Sequence, residues 1–563
     1  MNLCNISVAR RWIALLASAC ASAAPASIVS IRTIAVTGGN TPISGVTFDS
    51  LSDPMLTESG SVTFWARLAG LGVTTANDGA WWSDRTGAMS LVAREGQLVS
   101  GLPLAALPTL AINEAREGLL VATFPGSLAF HPGFLHLAFA RLVDGQEGTL
   151  TPVSTDSGGA TPSATIASRP HLPASGPVFW TDSLLLRSSA SSTPIVERAP
   201  VPGIELIAGL PTWGFNGIGT PSSNDLGEVV FWASVGPTPR INGTPFSNGI
   251  AGPQRTGIWR YAGGATQLVT GEGLPLPGGP SSHVWSSLGS RPRSFADGSF
   301  LLCGRATGEG VSEGNESRLL RVNPDGSVAW VLAAGDPVPG APEQEFGPLP
   351  TLRSCNSRGD TAFVAPVRNA PVGRNMVLAV ARDATLEVIA RRGDQAPGLP
   401  QGVMLDTLRA PTLNGAGRVA FMAGLRGEGV DRTNEQVLYA TTRRGDLVPV
   451  MRTGDLFATP TGQSRSVRRV VFAHETDSAG HVGYTTGGQL VLVLEFTDDT
   501  AAIVVASVDC VADFNADDTV DGEDIIGFFA AWDSGDHAAD VDGSQGVDSD
   551  DIILFFARFE AGC

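Results

Sequence analysis

The sequence predicts a mainly β protein: a β-propeller-like repeat body of seven or eight blades, followed by a small α-helical module. Three observations carry this reading. A turn-and-strand motif recurs along the chain. Short apolar runs joined by Gly- and Pro-rich turns separate its copies. The last 54 residues hold a duplicated acidic stretch that runs twice into an amphipathic helical pattern.

The clearest copies of the motif are Asn224-Asp-Leu-Gly227-Glu-Val-Val-Phe231, Asn356-Ser-Arg-Gly359-Asp-Thr-Ala-Phe363 and Asn414-Gly-Ala-Gly417-Arg-Val-Ala-Phe421. Weaker copies are Phe295-Ala-Asp-Gly298-Ser-Phe-Leu-Leu302 and Asp477-Ser-Ala-Gly480-His-Val-Gly-Tyr484, and Gly60-Ser-Val-Thr-Phe64 falls on the same beat. Asn or Asp opens a turn, Gly takes a positive φ, and the apolar run that follows is a buried strand. A second signature is Gly335-Asp-Pro-Val-Pro-Gly340 or Gly393-Asp-Gln-Ala-Pro-Gly398, with relatives at 271–278 and at Gly454-Asp455. Its repetition assigns the carboxylates Asp336, Asp394 and Asp455 to turns rather than to catalysis. Each unit offers about four short strands. Such sheets fit a propeller, which leaves only short, protected edges. A β-sandwich array or an open solenoid is the alternative.

The chain has 563 residues, a formal net charge of -18 and 43% hydrophobic residues, enough for several domains or one large repeat architecture. Residues 510–563 hold twelve Asp and two Glu against Arg558 alone, so -13 of that charge lies there. The remainder is mildly acidic, which argues against nucleic-acid binding through a basic face.

The first residues read MNLCNISVARRWIALLASACASAAPAS. A positive pair, Arg10-Arg11, precedes an apolar run and the small-residue site Ala21-Ser22-Ala23. This is the pattern of a cleaved secretory signal over residues 1–23, too short to span a bilayer. The paired arginines leave the general and twin-arginine export routes open, and Cys20 leaves a lipoprotein reading open. Cys303, Cys355, Cys510 and Cys563 remain after cleavage. An even number in an exported chain predicts disulfides, and their spacing is unlike the close pairs of zinc sites.

Catalytic signatures are lacking. Thr155-Asp-Ser157-Gly-Gly159 has the pattern of a chymotrypsin-like nucleophile segment, but no His segment matches it. The seven His are scattered, with no H-E-x-x-H. The tryptophans between Trp65 and Trp330 could stack on sugars, but they lie in strand-like runs and are assigned to the core.

The duplicated stretch aligns Asp513, Asn515, Asp517, Thr519, Asp521 and Asp524 with Asp540, Asp542, Ser544, Gly546, Asp548 and Asp551. Oxygen donors at every second position, closed by a carboxylate at the twelfth, suit a hard cation such as Ca²⁺. Thr519 and Gly546 would offer backbone carbonyls and the others side chains, giving two sites. The sixth position, normally Gly, is Asp518 or Gln545. Val520 and Val547, at the eighth, would pin each loop to a core. Each loop runs into an apolar pattern at i, i+3, i+4 and i+7, which predicts one buried helix face.

A loop followed by a helix, twice, with no entering helix resembles a type I dockerin. With Cys510 before the first loop and the ending Ala561-Gly562-Cys563, the stretch resembles the GC-type dockerin-like anchoring modules. The Asn-x-x-Gly-x-x-Ala-Phe repeat resembles that of the NxxGxxAF tandem-repeat (choice-of-anchor) exported proteins. The dockerin resemblance implies two bound Ca²⁺ and a cohesin-like or other envelope or scaffold partner. Cys510 and Cys563 are then expected to close the module. Cys303 and Cys355, about one repeat length apart, are expected to pair across neighbouring repeats.

These readings describe an exported, secreted or cell-surface protein. A non-catalytic body, residues 28–506, is tethered by a calcium-loop dockerin-like module, residues 507–563. An extracellular glycan is a further candidate partner. The alternative function is an extracellular polysaccharide-acting enzyme, a hydrolase or lyase, carried on a dockerin.

Overall fold

The structure is a computed structural model. It describes residues 29–561 apart from 113–117, 124–139, 143–149, 153–178, 197–212, 246–254, 473–481, 516–518, 542–546 and stretches of one to four residues elsewhere. The signal segment, the 155–159 segment and the repeat copy at 477–480 lie outside the described residues.

Eight principal antiparallel sheets follow one another among the described residues: sheet 1 (46–94), sheet 2 (106–152), sheet 3 (179–196), sheet 4 (213–271), sheet 5 (284–333), sheet 6 (341–391), sheet 7 (404–452) and sheet 8 (464–507). Sheet 7 is representative. Met404–Leu413, Val419–Arg426, Gln436–Thr441 and Leu447–Arg452 pair in chain order. Its second strand begins as an almost continuous apolar run because both faces of the sheet are covered. Ala420 packs toward sheet 8 and Phe421 toward sheet 6, the alternation that a strand imposes.

Among the described residues, sheets 4 to 8 and sheet 1 bury their faces on their neighbours. Ile258 of sheet 4 meets Trp285 and Phe300 of sheet 5. Leu319 of sheet 5 meets Phe363 and Val377 of sheet 6. Leu378 of sheet 6 meets Leu405 and Phe421 of sheet 7, and Leu438 of sheet 7 meets Leu492 and Val504 of sheet 8. Val491 and Ile503 of sheet 8 then pack with Phe48, Phe64 and Trp82 of sheet 1. Each such side chain contributes about 1.5–3 kcal/mol by leaving water. The chain itself also closes the ring. Ser30–Val36 is the fourth strand of sheet 8, with Ser30 opposite Ser507 and Ala35 opposite Ile503. The body is therefore propeller-like, as the repeats predict, with eight principal sheets among the described residues.

The repeat motif is the clasp between sheets. The Asn356 amide oxygen accepts from the N–H groups of Arg358 and Asp360 at 3.1 and 3.0 Å, which shapes the turn. Its Nδ2 donates to the Asn414 carbonyl of the next sheet at 3.1 Å. Asn414 in turn donates to the Thr485 carbonyl of sheet 8 at 2.9 Å. Gly227, Gly359 and Gly417 have φ of 75°, 94° and 80°, so the motif glycine is required by backbone conformation. Arginines add a second latch. Arg382 of sheet 6 donates to the Gly417 carbonyl at 2.7 Å, and Arg321 of sheet 5 to the Arg358 carbonyl at 3.5 Å. Sheet 8 forms its copy of the turn at Thr485–Thr–Gly–Gly488–Gln489, just after the predicted 477–484 segment. There Thr485 Oγ1 takes the role of the Asn amide, accepting from the Gln489 N–H at 2.9 Å.

Candidate functional site

Two helices follow the body, α1 (Gly522–Ser534) and α2 (Ser549–Ala561). A reciprocal capping box starts α1: the Asp521 side chain accepts from the Glu523 N–H at 2.8 Å, and Asp524 accepts from the Asp521 N–H at 2.8 Å. Gly535, with φ 67°, ends it. Phe528 and Phe555, at matched positions, stack at 4.2 Å with their planes 5° apart, and both are fully buried. Phe514 sets its edge on Phe528 at 5.5 Å. Val547 joins this small core, as its loop position predicts.

The two halves use one device. Asp524 is fully buried; its Oδ1 accepts from the Asn515 N–H at 3.0 Å and its Oδ2 from the Asp521 N–H at 2.8 Å. Asp551 is equally buried and accepts from the N–H groups of Val541 at 2.8 Å and Asp548 at 2.9 Å. The twelfth-position carboxylate thus clasps the start of each loop to its end. A carboxylate oxygen can accept at two lone pairs, so the donor chemistry of this position suits a hard cation. Asp513, Asn515, Thr519, Asp521 and Asp548 are also described. Asp517, Asp540, Asp542, Ser544 and Gly546 lie outside the described residues, as do Cys510 and Cys563. Among the described residues, no three His, Cys, Asp or Glu side chains are gathered as a metal-binding group.

The root of the module is tied to the body. The Asp509 carboxylate pairs with Arg418 and accepts from the Arg443 N–H at 3.0 Å. Arg418 lies over the Tyr484 ring at 5.4 Å, and burial pushes the Tyr484 phenol far above its usual range. Sequence reasoning missed this junction. The signal was the residue after the motif glycine, which is Glu228 or Asp360 in two clear copies and Arg418 in the third. On the outer face of the module, Ile526 and Ile553 occupy matched positions at 58% and 67% exposure, and Gly522, Glu523 and Ser549 are exposed beside them.

The repeated carboxylates take the turn role that the sequence predicts. Asp336 accepts from the Ala333 N–H at 2.7 Å and Asp455 from the Arg452 N–H at 2.8 Å. Trp81, Trp82, Trp259 and Trp285 are core residues, whereas Trp330 is 39% exposed, with Arg318 over its ring. Cys303 (sheet 5) and Cys355 (sheet 6) pack in one cluster between the sheets and are thiols in this structure. Burial raises the Cys355 thiol above its usual range. No helix among the described residues is long and apolar enough to cross a membrane.

A family model described as a family of unknown function (DUF7453) matches residues 21–115, 163–377 and 373–512. No curated protein matches. Among solved structures, the polysaccharide lyase Uly1 is similar at 11% identity and TM-score 0.31, over 84% of this chain and 91% of its own. The β-propeller domain of the Trilobed protease from Pyrococcus furiosus, described as having an open velcro topology, is similar at 11% identity and TM-score 0.30, over 72% and 85%. The α-L-arabinofuranosidase Arb93A from Fusarium graminearum is similar at 8% identity and TM-score 0.23, over 84% and 98%.

Proposed function

The chain belongs to this family of unknown function, and we propose that it is an exported, non-catalytic β-repeat protein tethered through its C-terminal module, which binds calcium in the manner of a dockerin. The observation that carries this reading is the matched pair of buried clasps, Asp524 and Asp551, each closing an acidic loop onto a helix. Asp513, Asn515, Asp517, Asp521 and Asp524, with the Thr519 carbonyl, would hold the first ion. Asp540, Asp542, Ser544, Asp548 and Asp551, with the Gly546 carbonyl, would hold the second. A bound divalent cation offsets charge in a stretch that carries -13 and so stabilises its compact state. The paired, exposed Ile526 and Ile553 give the module an outward apolar surface for a cohesin-like or other envelope or scaffold protein. The acidic residues around that surface favour a basic partner, with binding weakened by salt.

Calorimetric titration of the intact chain with Ca²⁺ tests the metal. About two ions per chain are expected. Asp513→Ala combined with Asp540→Ala should abolish the heat and leave the melting of the body unchanged. Absence of saturable heat in the parent chain would sink the reading.

A further inference from the structure

Sheet 5 departs from the repeat at two facing positions. Its third and fourth strands are Ser317–Val322 and Val328–Ala333. Arg318 stands opposite Gly304, two residues after the apolar end of the motif at Leu302. The same register holds Ala80 in sheet 1, Gly257 in sheet 4, Val377 in sheet 6, Val437 in sheet 7 and Ala502 in sheet 8. Trp330 stands opposite Leu320, where the fourth strands of sheets 1, 4, 6 and 7 carry Leu91, Leu268, Val388 and Pro449. The charged residue of the first column meets the aromatic residue of the second. Arg318 Cζ lies over the Trp330 ring, 5.8 Å from its centre.

One bond of Arg318 belongs to the repeat. In sheets 1 and 7, Arg94 and Arg452 of the fourth strand donate through Nε to the Asn77 and Asn434 carbonyls, both at 2.7 Å. Sheet 5 has Ala333 at that place, and Arg318 reaches the matching Asn315 carbonyl from the third strand through Nη1. Nη1 also donates to the Ser317 carbonyl at 3.0 Å. This latch requires neither the change of strand nor the tryptophan. The change of strand buries the guanidinium: Arg318 is 8% exposed, and its Nε has no hydrogen-bond partner. The nearby carboxylates are engaged elsewhere. Glu316 accepts from the Gly314 N–H and pairs with Arg305 at 3.8 Å, and Asp336 accepts from the Ala333 N–H. Both act on Arg318 only through their field. A buried cation with no paired anion is costly, so this place lacks one negative charge. Trp330 keeps 39% exposure, and the 271–278 loop covers its Nε1 edge, where a Cβ on Gly278 would stand 2.9 Å away.

We propose that Arg318 and Trp330 form a binding site for an acidic sugar, a glycan unit that carries a carboxylate. Nη1 is committed to main-chain carbonyls, which leaves Nη2 to donate to the carboxylate. The exposed part of the indole offers a flat apolar surface for the C–H side of the sugar ring. Asp336 follows Gly335, whose Cβ position lies 3.8 Å from Asn315 Cβ, so its carboxylate stands at the same rim as an acceptor for a sugar hydroxyl. This site would give the non-catalytic body a ligand of its own, independent of calcium in the module.

Titration of the full chain with glucuronate, followed by saturation-transfer NMR on the sugar, tests this. Glucose and the methyl ester of glucuronic acid are the uncharged controls, and acetate is the control for a bare anion. Glucuronate should saturate, and each control should bind about tenfold more weakly or worse. Arg318→Met should abolish the preference for the charged sugar. Trp330→Ala should weaken glucuronate about tenfold, and Trp330→Phe should restore most of that loss. Because Trp330 is exposed, its variants should melt with the parent and keep the test open even where Arg318→Met does not fold. A calcium chelator should leave glucuronate binding unchanged, which separates this site from the module. Equal binding of glucuronate and glucose, acetate as tight as glucuronate, parent-like binding by Trp330→Ala, or no saturable binding to a folded parent chain would each overturn the proposal.

Discussion

Deleting residues 29–37 opens the ring and lowers the unfolding free energy by about 5 kcal/mol or more, beyond the range of a single large core truncation. The Ser30–Val36 strand is the only cover for the outer edge of Ala501–Ser507 among the described residues. That strand is buried almost throughout, from Ala502 to Ala506. Removing its partner leaves a row of unpaired backbone groups beside an apolar Ala-Ile-Val-Val-Ala run, an arrangement prone to edge-to-edge association. The deletion also removes Ala35 and Ile34 from the cluster shared by sheets 8 and 1, and with them the Arg32–Asp84 pair at 2.8 Å. Thermal melting and light scattering should show a large drop in midpoint and concentration-dependent aggregation. A deletion variant that melts with the parent would mean that the ring is not closed by this strand.

Phe555→Ala should unfold the C-terminal module alone. The ring is fully buried and stacked on Phe528, and truncating such a residue costs about 3–5 kcal/mol. A module of two helices with one small core has little stability to lose. Phe528→Ala should match it, because the two rings are partners across the duplication. Ile526→Ala, at an exposed position, should change stability by less than about 0.5 kcal/mol. Hydrogen exchange resolved by segment checks this. Protection should vanish over α1 and α2 in both Phe variants and persist across sheets 4–8. Exchange that rises together in body and module would show one cooperative unit instead.

What the sequence disclosed follows the range of the forces involved. The Asn-x-x-Gly turns were legible because both the amide and the positive-φ glycine act within five residues. The helix pattern at 524–532 and 551–559 was legible for the same reason, since i, i+3 and i+4 lie on one face. The Thr-led turns at Thr57 and Thr485 were obscured because a hydroxyl there does the work of the Asn amide, as when the Ser61 N–H donates to Thr57 Oγ1 at 3.1 Å. The closing strand Ser30–Val36 has no local mark; its partner lies at the far end of the body. A Gly-Val loop closed by Asn, at Gly310-Val311 with Asn315 and at Gly429-Val430 with Asn434, reads as a polar linker until its amide bonds are seen.

The tether itself is tested most directly by fractionating cells that export the full chain or a chain ending at residue 506. The account predicts that the full chain stays with the cell envelope, is released by a calcium chelator and rebinds when Ca²⁺ is restored, and that the truncated chain appears in the medium, folded. Equal retention of both chains, or a full chain indifferent to chelator, would contradict it.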